Sequence, residues 1–184
     1  MIYNEITKNE EGEREVKVFT DEKKRCIVKL VNVECIEVEP QHMYIKISGE
    51  DNQAKISEFD TSNIKEASEK CEKWFGRKIP GPVIEKAYHT DSFDRFSLEL
   101  IAETKAFNHK NEPLPLDDIK PGSKCSIFVE FSEICFSRKN FAPIWKIVQV
   151  KIHEEEKPPP PPEPETPEIE AYPEECMFED EDSK

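Results

Sequence analysis

The apolar positions of the chain recur mainly with the two-residue period of β-strands. Cys26–Val38, written CIVKLVNVECIEV, is rich in β-branched residues and predicts a long strand. A second strand is predicted over residues 43–48, after the break at Pro40, and a third over Phe96–Phe107. The pattern therefore indicates a mainly β fold.

One segment has instead the three- and four-residue spacing of an amphipathic helix. Residues 62–75 carry a single apolar stripe. The positions in this stripe are Ile64, Ala67, Cys71 and Trp74. Residues 60–63 supply candidate N-caps, and Gly76 lies where a left-handed C-cap is expected. We therefore predict one helix among the strands.

The last part of the body predicts a β-hairpin. Residues 125–136 and Phe141–Ile152 form its two strands, and a short basic turn places Phe136 opposite Phe141. In this register one face is aliphatic and belongs in a core: Cys125, Ile127, Val129, Phe131, Ala142, Ile144, Val148, Val150 and Ile152. The other face is mixed: Ser126, Phe128, Ser132, Ile134, Phe136, Phe141, Trp145, Gln149 and Lys151. Such a mixture is typical of a platform on which unpaired bases stack.

The mixed face also has a purely structural interpretation. Aromatic side chains on strands more often pack in a core than bind a ligand, and the predicted helix has to cover some face of the sheet. In addition, one bulge in either strand would exchange the two faces of the hairpin. Both interpretations stay open at this level.

Charge divides the chain at about residue 154. Of its net charge of -14, residues 154–184 carry -11, because they hold 13 acidic residues and two lysines. The five prolines at 158–162 favour an extended polyproline II spacer, and the remainder has too little apolar surface to fold. We therefore predict a folded domain at 1–153, which is nearly neutral, and a disordered Pro-rich acidic tail at 154–184.

The residues that could carry catalysis or bind a metal are scattered. The six cysteines form no CxxC pair, the four histidines are isolated, and five glycines leave no phosphate-binding loop. The polar N-terminus predicts no secretory signal, and no apolar run is long enough to span a bilayer. We therefore expect a non-enzymatic protein with free thiols, no cofactor and no metal, which is not secreted and does not insert into membranes.

Two segments carry a family resemblance. EKWFGRKIP (72–80) and DIKPGSKCSIFVEFSEICFSRKNFAPIWKIVQVKI (118–152) resemble the OB-fold single-stranded DNA-binding proteins of nucleocytoplasmic large DNA viruses. The specific part is an aromatic at a strand end, a short basic turn, a second aromatic, then Trp-Lys and Val-Gln-Val. A folded body with an acidic tail is also similar in layout to phage replication single-strand binders, whose tail competes with DNA and docks replication proteins.

The resemblance implies a five-stranded OB-like barrel that binds single-stranded DNA, with RNA not excluded, in viral DNA replication or repair. The residues expected to bind are the stackers Phe136, Phe141, Trp145 and Tyr44, and the phosphate contacts Arg138, Lys139, Lys146 and Lys151. Replication proteins would bind the tail, and a barrel edge could pair two protomers. The expected location is the host cytoplasm, in a virus factory, or the nucleus. The alternative function is a protein-interaction module or an acidic chaperone that binds no nucleic acid.

Overall fold

The computed structural model describes residues 1–154, so the predicted tail lies outside the described residues. The described part contains nine strands: β1 (Ile2–Tyr3), β2 (Thr7–Lys8), β3 (Arg14–Phe19), β4 (Cys26–Val38), β5 (His42–Lys46), β6 (Phe96–Phe107), β7 (Pro113–Leu114), β8 (Lys124–Phe136) and β9 (Phe141–Ile152). Its α-helices are α1 (Glu50–Glu69), α2 (Cys71–Phe75) and α3 (Gly81–Ala87). None of these helices combines the length and apolar character that a membrane span requires.

Five strands close into a ring. β4 pairs with β5, β5 with β6, β6 with β9, β9 with β8, and β8 again with β4. Only the β6–β9 pair is parallel, and it is interrupted between Leu100 and Lys105, which makes the ring uneven. A closed five-stranded Greek-key ring is the topology of an OB fold. The predicted mainly β fold with an OB-like barrel is therefore confirmed.

The first 25 residues add strands that the sequence pattern does not predict. β3 pairs with residues 133–136 of β8, beyond the stretch of β8 that pairs with β4. Val16 and Val18 of β3 are buried, whereas β1 and β2 are only two residues long. Such short, charged segments give almost no periodic signal, which explains their absence from the prediction.

The long helix begins twelve residues before the predicted start at residue 62. Residues 60–63, expected to cap the helix, lie in its interior, and two short helices accompany it instead of the single predicted one. The apolar pattern is weak in the first half of α1 because one of its two buried positions, Asn52, is polar. Asn52 accepts a hydrogen bond from the backbone N–H of Val31 at 3.2 Å and donates one to the Val31 carbonyl at 2.7 Å. Gly76 does adopt the predicted left-handed conformation, with φ 73°.

Two bulges change the orientation of side chains along the β8–β9 hairpin. Phe136 does lie opposite Phe141, as predicted, but the register shifts between Phe131 and Glu133 and again between Phe128 and Val129. Each shift inserts one extra residue, and one extra residue turns every later side chain to the opposite face of the sheet. Ser126 and Phe128 therefore point outward, whereas Ile134 and Phe136 point inward.

Candidate nucleic-acid interface

Three of the four predicted stacking residues are buried. The exposed fraction is 7% for Phe136, 1% for Phe141 and 3% for Trp145. The Phe136 and Phe141 rings stack on one another, with centres 5.8 Å apart and planes at 13°. Aromatic rings from the helical region cover this pair edge-on. One of them is Phe75, whose ring centre lies 5.5 Å from that of Phe141. The prediction that these aromatics face a ligand is therefore wrong.

Trp145 is enclosed for the same reason. Its ring centre lies 5.2 Å from that of Phe59 on α1 and 5.2 Å from that of Phe131 on β8. The bulge in β8 turns Trp145 and Phe131 to the same, inner side of the barrel, where α1 seals them. The structural alternative considered for the mixed face thus applies to Phe136, Phe141 and Trp145.

Tyr44, the fourth predicted stacker, is partly exposed on β5, but its ring is already in contact with a cation. The guanidinium carbon of Arg95 lies 3.9 Å from the ring centre, and the same group pairs with Glu37 at 2.8 Å. The His42 ring lies beside Tyr44, with centres 6.4 Å apart. A base could stack on Tyr44 only after Arg95 had moved away.

One groove beside β5 and β6 is unfavourable for phosphate. A groove of about 230 Å³ lies between β6 and β9, and His42, His89, Asp91 and Glu99 are its ionisable lining residues. Burial raises the pKa of the Glu99 carboxyl above its ordinary value, while Lys146 and His42 oppose that shift. Among its described lining residues, this groove has two carboxylates and no lysine or arginine, so it does not attract a nucleic-acid backbone.

The predicted phosphate contacts are separated from one another. Arg138 and Lys139 are exposed in the hairpin turn, about 25 Å of strand away from the middle of β8. Lys146 is mostly buried and pairs with Glu133 at 3.2 Å, so its charge is already compensated. Lys151 lies near the far end of β9, on the outer face. The structure does not bring these four residues into one site.

A different outer surface combines an exposed aromatic ring with cations. Phe128 on β8 is 40% exposed, and the residues opposite it in neighbouring strands point to the same side. A groove of about 470 Å³ runs beside its ring. We name it the Phe128 groove, and its lining residues are Lys29, Phe107, Asn111, Ser126, Phe128, Gln149, Val150, Lys151 and His153. No carboxylate occurs among these described lining residues.

The strand register places the cations next to Phe128. Lys29 of β4 and Gln149 of β9 are the register partners of Phe128, and Lys105 of β6 is the partner of Gln149. Lys151 occupies the next outward position on β9, where its Nζ lies 2.6 Å from Oδ1 of Asn111. Within residues 1–154, no carboxylate lies within ion-pair distance of Lys29 or Lys105. Their charges are therefore free to meet an anionic ligand.

Part of this groove was present in the predicted mixed face. That face placed Ser126, Phe128, Gln149 and Lys151 together, and the structure keeps all four on the outside. Phe128 is not among the residues expected to bind, because the resemblance points to the more numerous aromatics near the hairpin turn. Lys29 and Lys105 come from distant strands, and only the register of the closed ring shows their position.

Burial lowers the acidity of three thiols in the described part. The structure contains five free cysteines among residues 1–154, as predicted for that part of the chain. Burial raises the pKa of Cys35 and Cys135 to about 11 and that of Cys125 to about 12, so these thiols are protonated at neutral pH. In the same residues, no group of three or more His, Cys, Asp or Glu side chains could hold a metal ion.

The closed five-stranded ring defines an OB-fold protein. Residues 29–180 match the model of a family of unknown function, DUF5871, and the chain belongs to that family. No curated protein matches the chain by sequence. The predicted relationship to binders from large DNA viruses stays a prediction.

Solved structures provide a likeness in fold. The chain is similar to a C-terminal truncation of the single-stranded DNA-binding protein from bacteriophage Enc34, with a TM-score of 0.50 and 13% identity, over 83% of this chain and 97% of the phage chain. The phage protein in complex with ssDNA has a TM-score of 0.49 and 13% identity, over 77% of this chain and 92% of that one. At 13% identity, the likeness to the truncated phage protein shows a shared fold alone.

Proposed function

We propose that this protein binds single-stranded DNA in the Phe128 groove and is a binding protein rather than an enzyme. The observation that carries the proposal is the exposed Phe128 ring, which has Lys29 on one side and Gln149 and Lys105 on the other, in one row of neighbouring strands. Proteins that bind single strands without sequence preference combine aromatic surfaces for bases with cations along the backbone path.

The size of each interaction is sufficient for such a function. Stacking of one base on an aromatic side chain contributes about 1–3 kcal/mol, and each lysine that neutralises a phosphate adds a salt-dependent contribution. A paired duplex keeps its bases inside the helix, so a protruding phenyl ring such as that of Phe128 has no base face to contact. We therefore expect a preference for single strands over duplex.

The fold supports the same function. OB folds bind oligonucleotides recurrently, and the phage Enc34 protein of similar fold is named a single-stranded DNA-binding protein. In OB folds the usual binding surface is that of the second and third barrel strands, here β5 and β6. We place the site on the outer face of β4, β8, β9 and β6 instead, because the described lining of the groove beside β5 and β6 has two carboxylates and no lysine or arginine.

A titration of the full-length chain tests the proposal. A fluorescently labelled 20-nucleotide oligo-dT and a labelled duplex of the same length are each titrated with protein at low salt, and anisotropy is followed. We expect binding of the single strand to be at least tenfold tighter than binding of the duplex. Absence of binding to oligo-dT at low salt, or tighter binding to the duplex, would contradict the proposed function.

We also propose that residues 154–184 weaken DNA binding by competing for the Phe128 groove. The segment carries a net charge of -11, and it starts directly after His153, which lines the groove. A tethered acidic peptide has a high effective concentration at a neighbouring cationic site. Deletion of residues 154–184 should then raise affinity for oligo-dT and change its salt dependence, whereas unchanged affinity at every salt concentration would reject the competition.

The same tail is our candidate binding segment for replication proteins, and viral DNA replication or repair is the process in which we place the protein. A pull-down that compares the full-length chain with the tail-deleted chain, both without DNA, separates this role from competition. Replication proteins should be retained by the full-length chain only, and equal retention by both chains would contradict a docking role.

A further inference from the structure

The Phe128 groove has a polar lining that base stacking alone does not require. Next to the ring lie the amide side chains of Asn111 and Gln149, the hydroxyl of Ser126, the ammonium group of Lys151 and the imidazole of His153. A platform for bases of any sequence needs only a flat apolar surface and cations. Amide and ammonium groups at the same place can also form hydrogen bonds with the edge of a base.

Asn111 is held in position by its turn. It has φ 65°, a left-handed conformation that asparagine tolerates, and its backbone N–H donates to the Asn108 carbonyl at 3.0 Å. The Asn108 side chain closes the same turn, because its Oδ1 accepts from the backbone N–H groups of Lys110 and Glu112. The Asn111 amide is therefore presented at the groove by a fixed backbone.

The hydrogen bonds already formed leave mainly donors at the groove. Lys151 donates to Oδ1 of Asn111 at 2.6 Å, which occupies one of the two lone pairs of that oxygen and leaves both N–H donors of the amide. The ammonium group of Lys151 keeps further N–H donors and has no acceptor. Ser126 and His153 are engaged with each other at 2.8 Å. A base that fits this place must offer acceptors.

Thymine matches this requirement best. It has two carbonyl oxygens and no exocyclic amine, whereas adenine carries an amine and no carbonyl, and cytosine and guanine each carry one carbonyl and one amine that would meet donors. Gln149 has both an acceptor and donors, so its amide can complement the single N–H of the thymine ring. The volume of about 470 Å³ is within the range of pockets that hold small molecules.

We infer that the Phe128 groove contains a base pocket in which a thymine, stacked on Phe128, is preferred over adenine through hydrogen bonds from Asn111 and Lys151. This inference rests on the proposed function, because it gives a base preference to the same site. It predicts that binding depends on the identity of one base, and not only on strand length and charge.

Oligonucleotides with a single base test the pocket without interference from stacking within the free strand. Twelve-nucleotide strands of abasic residues carry one central thymine, adenine, cytosine or guanine, or no base, and each competes with labelled oligo-dT for the full-length chain. We expect the thymine strand to bind about threefold to tenfold more tightly than the adenine strand, the effect of one or two net hydrogen bonds.

Variants of two exposed turn residues identify the group responsible. Asn111→Gly removes the amide at a position whose positive φ glycine adopts without strain, and Asn140→Gly makes the same chemical change in the remote β8–β9 turn. We expect Asn111→Gly to bring the thymine-to-adenine ratio close to one without changing affinity for the fully abasic strand, and Asn140→Gly to keep the ratio.

The possible results separate the base pocket from the proposed function. If all four single-base strands bind equally well, or if Asn111→Gly keeps the full thymine preference, the base pocket is wrong and DNA binding stands. If neither oligo-dT nor any single-base strand binds, the base pocket and the proposed function are both wrong.

Discussion

The ammonium nitrogen of Lys29 lies 5.8 Å from the ring centre of Phe128, across the pairing of β4 with β8. The distance is at the outer limit of a cation–π contact, so the lysine is held only loosely over the ring, in contrast to Arg95 at 3.9 Å over Tyr44. The ring is 40% exposed, so part of its surface is accessible to a base. The two residues thus place a flat apolar surface and a positive charge side by side, in the arrangement that a base and its phosphate require.

Truncation of the exposed ring should remove the stacking contribution. We expect Phe128→Ala to weaken binding of oligo-dT by about 1–3 kcal/mol, the range found for one stacked base, and Phe128→Tyr to bind nearly as tightly as the parent chain. The measurement is anisotropy with labelled oligo-dT. Val83→Ala is a matched control, because Val83 is 52% exposed on α3, away from the groove. Equal affinity of Phe128→Ala and the parent chain would remove Phe128 from the interface.

The salt dependence of binding distinguishes the groove from the hairpin turn. For single strands the slope of log K against log salt concentration changes by about 0.7 for each phosphate contact. We expect Lys105→Gln to reduce the slope by about this amount, because Lys105 is exposed in the row of Phe128. Lys139→Gln, in the turn predicted from sequence as a contact, should leave the slope unchanged. The opposite result would move the DNA path to the turn.

Substitutions of Trp145 should affect stability, and binding only indirectly. The side chain is 3% exposed, and its Nε1 is buried without a hydrogen-bond partner among the described residues. We expect Trp145→Ala to lower the free energy of unfolding by about 3–5 kcal/mol, as for other large buried aromatics. Trp145→Phe should cost much less, because it keeps a ring and removes the unpaired donor. Denaturant titrations give both values.

The binding assay provides the complementary result for Trp145. Trp145→Phe, once shown to be folded, should bind oligo-dT with the affinity of the parent chain, since no base reaches position 145. Strong loss of affinity in folded Trp145→Phe would instead support direct stacking on this residue. The two outcomes distinguish a core residue from a ligand contact.

Four of the five barrel strands were predictable because each is 12 or 13 residues long and rich in apolar positions. Cys26–Val38, Phe96–Phe107 and Phe141–Ile152 are observed with the bounds that periodicity indicates. The direction of individual side chains was not predictable in the same way. Ser132 is the extra residue of the bulge in β8. It determines whether Phe136 faces solvent or the core, yet nothing in its chemistry marks a serine as a bulge position.

The candidate site was predictable only in part, for reasons of distance along the chain. Phe128, Gln149 and Lys151 belong to one hairpin, whose local pairing can be inferred from its turn. Lys29 and Lys105 meet them only through the closed ring, and no local pattern specifies that register. The helix α1 was predictable only in part for another reason. The polar residues Asn52 and Asn63 occupy buried positions at its start and in its middle, because their amides form hydrogen bonds with partners outside the helix.

The carboxylate of Asp60 accepts a hydrogen bond from the Tyr88 hydroxyl at 2.6 Å. Burial raises the pKa of this carboxyl above its ordinary value of 3.8, and the hydrogen bonds from Tyr88 and Thr90 only partly oppose that shift. The folded state thus binds more protons than the unfolded state just above pH 3.8, so the contribution of Asp60 to stability falls as pH rises through this window. Asp60→Asn removes the ionisation and keeps an acceptor. The free energy of unfolding of Asp60→Asn minus that of the parent chain should therefore increase from pH 3.5 to pH 7.

Urea titrations at several pH values measure this difference in free energy. Glu58→Gln, an exposed change on the same helix, is the control. A difference that stays constant, or that reverses in sign toward pH 7, would show that burial of the Asp60 charge does not destabilise the fold.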